Sequence, residues 1–142
     1  MSTTCVEPAS ALVERISDGQ EVLAILIRHE LEPERTAFLT SPEYRQQVGF
    51  VVAAAGSEIP RHDHRPIERF LRGTSECLIV RRGKSEVTFY GRDRREVCRR
   101  VVSRGDVLVL VEGGHGFRQI EDTVFLEIKQ GPYPGVDEKD RF

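Results

Sequence analysis

The chain has no tryptophan, one methionine, four histidines and three cysteines among its 142 residues. Each scarcity excludes something. Cys5, Cys77 and Cys98 are odd in number and far apart, with no Cys-x-x-Cys pair. Neither a disulfide framework nor a zinc ribbon is therefore expected, and a reducing cytoplasm is the natural compartment. No apolar run is long enough to span a bilayer, so no membrane partner is expected. The first residues, Met1 to Pro8, lack both a basic stretch and an apolar stretch, which argues against a secretory signal. Charge of one sign is also lacking: 21 basic against 23 acidic residues give a net charge of -2. Without a basic field, nucleic acid is not an expected partner. The length fits one domain over residues 1–142 that can bury a core without covalent staples.

What is present is a series of short, β-branched segments separated by turn residues. Residues 22–27 are apolar on both faces and too short for a typical helix, so they are read as a buried strand, and residues 46–53 as another. From residue 76 the rhythm is regular. Strands are expected at 76–82, 86–90, 96–102, 107–111, 116–120 and 124–129, with turns at Gly83-Lys84, 91–95, 103–105, 112–114 and 121–123. Many short strands at even spacing imply an all-β sandwich or barrel. The one helix expected is residues 9–16, from the stripe of Leu12, Val13 and Ile16. A short N-terminal extension and an irregular tail beyond Gln130, rich in Pro, Gly and charge, complete the chain.

Three of the four histidines fall in two stretches, Gly56-x5-His62-x-His64 and Gly105-x7-Gly113-Gly114-His115. In a strand, positions i and i+2 share a face, so His62 and His64 are expected to converge on one ion. Glu76, opening the next strong strand, offers an anionic oxygen, and His115, after a double-glycine turn, a third imidazole. A lone histidine in a β-fold is most often a hydrogen-bonded core residue. Three in register with a carboxylate are costly to satisfy without a metal. His29 fits no such pattern and is expected at a strand end on the surface.

On these residues the chain resembles a cupin. The family's first motif runs Gly, five residues, His, any, His, three or four residues, Glu, six residues, Gly. Gly56, His62, His64, Glu76 and Gly83 answer to it; Gly105, Gly113 and His115 answer to the second motif, and the likeness covers roughly residues 45–130. The resemblance implies a cupin jelly-roll β-barrel holding one divalent transition metal (Fe, Mn, Ni, Cu or Zn) on His62, His64, Glu76 and His115. The chain departs from the pattern in four places, one being a turn before His115 that is one residue shorter than the family's. Eleven residues separate His64 from Glu76, Val111 stands where proline is usual, and Gln119 replaces the usual asparagine. Glu68 keeps the family's distance from His64 and is a rival to Glu76 as the carboxylate ligand.

The long loop carries Arg65, Arg69 and Arg72, whose guanidinium forks suit a carboxylate or phosphate, either as a lid beside the metal or as a plain solvated surface. Ile67, Phe70 and Leu71 are expected to anchor it. Glu68, if not a ligand, is the candidate general base. Tyr90 is a weaker candidate to face the cavity. Cys77, next to Glu76, is expected to point the other way into packing, and Gly105-Asp106 is read as a turn. The metal and the arginines point to an enzyme acting on a small polar or anionic molecule, with dioxygenase or oxidoreductase chemistry favoured. The alternatives are a metal-dependent isomerase or lyase of sugars or small acids, and a non-catalytic ligand-binding module. A homodimer, with residues 22–27 serving its interface, is also expected.

Overall fold

A mixed polar and apolar segment and a nearly all-apolar one build the first hairpin. Strand β1 (Val13–Asp18) pairs antiparallel with β2 (Glu21–Ile27) in a computed structural model that describes residues 11–135 and 138–142. Gly19 sits in the intervening turn at φ 60, a backbone state that glycine takes without strain. The helix expected over 9–16 is replaced by β1 from Val13 onward; residues 9 and 10 lie outside the described residues. A spacing of Leu12, Val13 and Ile16 suits either period, and pairing with β2, whose last five residues are all buried, decides it.

The chain divides into two compact units, Glu32–Thr74 on one hand and Met1–Leu31 with Ser75–Phe142 on the other. In the smaller unit, β3 (Ala37–Phe38) and β4 (Gly49–Phe50) make one short ladder. The strand expected over 46–53 shrinks to those two residues of β4. From Val51 to Thr74 the chain is exposed and without regular secondary structure.

The larger unit carries β1 and β2 and also β5 (Glu76–Arg82), β6 (Lys84–Tyr90), β7 (Glu96–Ser103), β8 (Val107–Leu110), β9 (Gly114–Gln119) and β10 (Val124–Lys129). All six strands expected after residue 75 are present, displaced by at most two residues at their starts. They form a five-stranded sheet in the order β1-β2-β8-β5-β10 and a three-stranded sheet in the order β7-β6-β9, with every pairing antiparallel. No α-helix occurs among the described residues, and no ladder joins the two sheets. The architecture shown is therefore an antiparallel all-β fold.

One continuous core lies between the sheets. Ile16, Leu26, Leu78 and Leu108 of the larger sheet meet Val87 and Phe89 of the smaller. β6 alternates buried and half-buried residues with period two, as a strand with one wet face must. Each of these large side chains contributes about 1.5–3 kcal/mol on burial. Cys77, next to Glu76 on β5, is buried on the sheet's other face, where it pairs with Val109. Burial raises its thiol pKa, which fits an inert packing role.

Candidate functional site

At one end of the apolar core the inward positions change character. On β5, Glu76 shares the inward face of Leu78 and Val80, both core residues. On β9, His115 lies opposite the buried Phe89 of β6, so it too faces inward. On β10, Lys129 is the ladder partner of Glu76. The three side chains meet. Glu76 Oε2 is 3.3 Å from His115 Nε2, and Lys129 Nζ donates to Glu76 Oε1 at 2.9 Å. The Glu76 and Lys129 side chains are only 11% and 14% exposed, whereas His115 is 33% exposed and forms the accessible side of the group.

The electrostatics follow from that geometry. His115, as a hydrogen-bonding partner, does most to hold the Glu76 carboxyl down at about 2. Burial pushes the other way, and Lys129 adds to the lowering. Glu76 is accordingly a carboxylate throughout the neutral range. Glu76 in turn raises the pKa of Lys129. A carboxylate oxygen and an imidazole nitrogen bound to one transition ion at ordinary bond lengths of about 2.0–2.1 Å stand about 2.9–3.4 Å apart. The 3.3 Å between Glu76 and His115 falls in that range.

His62 and His64 lie in the smaller unit, in an irregular stretch and not in the strand expected for them. Their rings nevertheless meet edge to face, with centroids 5.3 Å apart. The Nδ1 of His62 lies 2.7 Å from the Pro60 carbonyl oxygen. As a donor to that carbonyl it leaves Nε2 with the lone pair, the tautomer a metal-binding imidazole needs. Both histidines are exposed. The structure thus shows two donor pairs, Glu76 with His115 and His62 with His64, one in each unit.

Glu68, Arg65, Arg69 and Arg72 are exposed and form no ion pair with another described residue; only the Arg72 backbone carbonyl is engaged, by the Arg45 side chain. The expected anchors of this loop are not buried: Ile67 is 65%, Phe70 94% and Leu71 46% exposed. With no ladder to hold them, backbone and apolar side chains alike stay in water. Tyr90 alternates with the inward Phe89 and packs its ring against Phe142, 5.1 Å away, on the flank of Gly114.

Lys129 was not anticipated as the partner of Glu76. The available signal was a lysine closing a largely apolar strand, with Glu127 two positions before it on the same face. A second cluster, His29, Glu30 and Asp106, brings ligand-type atoms within 4.8 Å of one another. Its carboxylate is already saturated. Asp106 Oδ1 accepts from the His29 backbone N–H at 2.9 Å and lies 3.2 Å from its ring Nδ1. Oδ2 accepts from Ser103 N–H at 2.9 Å and from Arg28 at 3.1 Å. Asp106 thus ties the end of β2 to the turn before β8, and no lone pair is left over for a metal.

No helix among the described residues is long and apolar enough to cross a membrane. No family model matches the chain, and no match is found among curated proteins or solved structures.

Proposed function

We propose that the chain is a cupin-type metalloprotein, a jelly-roll barrel that holds one divalent transition metal and acts on a small anionic molecule in the cytoplasm. The observation that carries the proposal is the convergence of Glu76 and His115 from two different sheets at the polar end of the core, at a separation suited to two ligands of one ion. The motif spacing adds His62 and His64 as the remaining donors, and the tautomer set by Pro60 supports His62 in that role. A metal bound by such N and O donors supplies Lewis acidity and open positions for substrate or oxygen. Oxidoreductase chemistry of the dioxygenase kind is the first choice, and isomerase or lyase chemistry the second. Arg65, Arg69 and Arg72, which form no ion pair with another described residue, suit an anionic substrate, with Glu68 beside them in sequence as a base.

The test is the metal content of the purified chain, with about one ion per chain expected from a complete ligand set. His115→Ala and Glu76→Gln should lose it, and so should His62→Ala with His64→Ala. If only one pair of substitutions removes the ion, the site is confined to that pair. Unchanged content in His115→Ala would end the proposal.

One feature favours a second reading. The chain of contacts from Lys129 to Glu76 to His115 is also how a carboxylate orients an imidazole for proton transfer. On that reading His115 is a general base in an isomerase or lyase, and turnover survives exhaustive chelation. Loss of turnover on chelation, with recovery on adding metal, selects the first reading.

A further inference from the structure

We infer that Lys129 is a positioning residue of this site: its ammonium holds one oxygen of Glu76 and so fixes which oxygen faces His115. The inference rests on the metal-binding reading of Glu76 and His115. The two oxygens of Glu76 are divided between two partners, Oε1 to Lys129 at 2.9 Å and Oε2 toward His115 at 3.3 Å. A free glutamate can bind an ion through one oxygen or both. With Oε1 already accepting from an ammonium, that oxygen is a poorer ligand than Oε2, and binding through Oε2 alone is favoured.

The lysine is itself held on every side. It is the direct ladder partner of Glu76, so the backbone register sets the distance between them. Glu127, on the same strand and face, lies 3.5 Å from Nζ, and Glu138 of the C-terminal tail 3.8 Å. The Tyr133 ring packs against the ammonium at 4.8 Å from its centroid. Three carboxylates and an aromatic face around one lysine keep it charged and in place. An ordinary surface lysine has no such cage. The arrangement also has a consequence for affinity. A fixed positive charge beside the ligand oxygen repels an incoming cation, so Lys129 trades binding strength for a defined coordination.

The experiment is a Co(II) titration of the full-length chain, followed by visible absorption, for wild type, Lys129→Met and Lys129→Gln. Circular dichroism establishes folding, and the Gln variant, which keeps a donor to the carboxylate, serves if the Met variant does not fold. Both neutral variants should bind Co(II) about tenfold or more tightly. In Lys129→Met the d–d bands should weaken and shift as the second oxygen of Glu76 joins the ion and raises its coordination number, whereas Lys129→Gln, which keeps a donor to that oxygen, should keep a spectrum near wild type. Lys129→Arg, which keeps the charge, should stay near wild type. If wild type binds no Co(II) and Lys129→Met does, the inference stands and only the claim that the native chain carries metal falls. Equal affinity and identical spectra in wild type and both neutral variants would overturn the inference. Absence of binding in all of them would remove the metal reading and the inference together.

Discussion

Two buried carboxylates of the larger unit, Glu76 on β5 and Asp106 in the turn before β8, differ in kind in their surroundings. Asp106 is fully enclosed and takes two of its bonds from backbone N–H groups, those of His29 and Ser103. Glu76 is nearly as enclosed but meets only side chains, His115 and Lys129. Backbone donors cannot be exchanged without refolding the turn that carries them. The more exposed side-chain partner, His115, can swing away, so Glu76 can release it and accept a ligand. Two residues alike in charge and burial are thereby separated into a fastener and a candidate reactive group.

The sharpest way to break this comparison is to remove each carboxylate in the metal-free chain. Asp106→Ala leaves the part-buried N–H groups of His29 and Ser103 without their acceptor and Arg28 without its carboxylate, at a cost of about 3 kcal/mol. Denaturant unfolding should show a large fall in the midpoint. A loss under about 1 kcal/mol would mean that Asp106 is not the fastener described.

The turn that Asp106 ties down gives the next largest effect. Gly105 has φ 90, and a Cβ there would lie 2.7 Å from the His29 Cβ. Neither the backbone angle nor the clash can relax cheaply, because His29 is itself bound to Asp106 through its backbone N–H. Gly105→Ala should therefore cost about 2 kcal/mol by the same unfolding measurement. A change near zero would show that the turn is not tied.

How much of this was legible in the sequence depends on the kind of signal. Strands β5 to β10 were readable because alternation and glycine-bearing turns recur at short intervals, as in Glu86 to Tyr90. β1 was misread as helix because Leu12, Val13 and Ile16 fit both periods, and its partner β2 lies across a turn that no local rule weighs. Glu76 and His115 were readable as a pair through motif spacing. Lys129 was not, because its closeness to Glu76 is a matter of register between strands 53 residues apart in sequence. Asp106 was rightly read as a turn residue, but its hold on Arg28 and His29 is a contact across more than 70 positions that spacing alone does not encode.

Removing the Glu76 charge should cost less than Asp106→Ala at neutral pH, because glutamine keeps the shape, His115 can turn to water and Lys129 keeps Glu127 and Glu138 as partners. Its pH dependence is the informative part. The folded pKa is about 2, below the ordinary value of 4.5. A carboxyl with a depressed folded pKa contributes stability that is fully present above the unfolded value and is lost as pH falls through the folded one. In the metal-free chain the stability difference between wild type and Glu76→Gln should hold above pH 4.5 and shrink steadily toward pH 2. A difference that stays flat across that window would mean the carboxylate is not held as described.

The smallest effect belongs to the His29 side chain, and it tests the comparison from its weak side. What Asp106 needs from His29 is the backbone N–H, which every residue but proline supplies. The imidazole adds a 3.2 Å contact but is 47% exposed, so water can take its place. His29→Ala should change stability by no more than about 0.5 kcal/mol. His29→Pro, which deletes the N–H, should approach the cost of Asp106→Ala. If alanine proved as damaging as proline, the imidazole would be the true partner of Asp106. The fastener would then rest on a side chain, as Glu76 does, and the distinction between the two carboxylates would lose its basis.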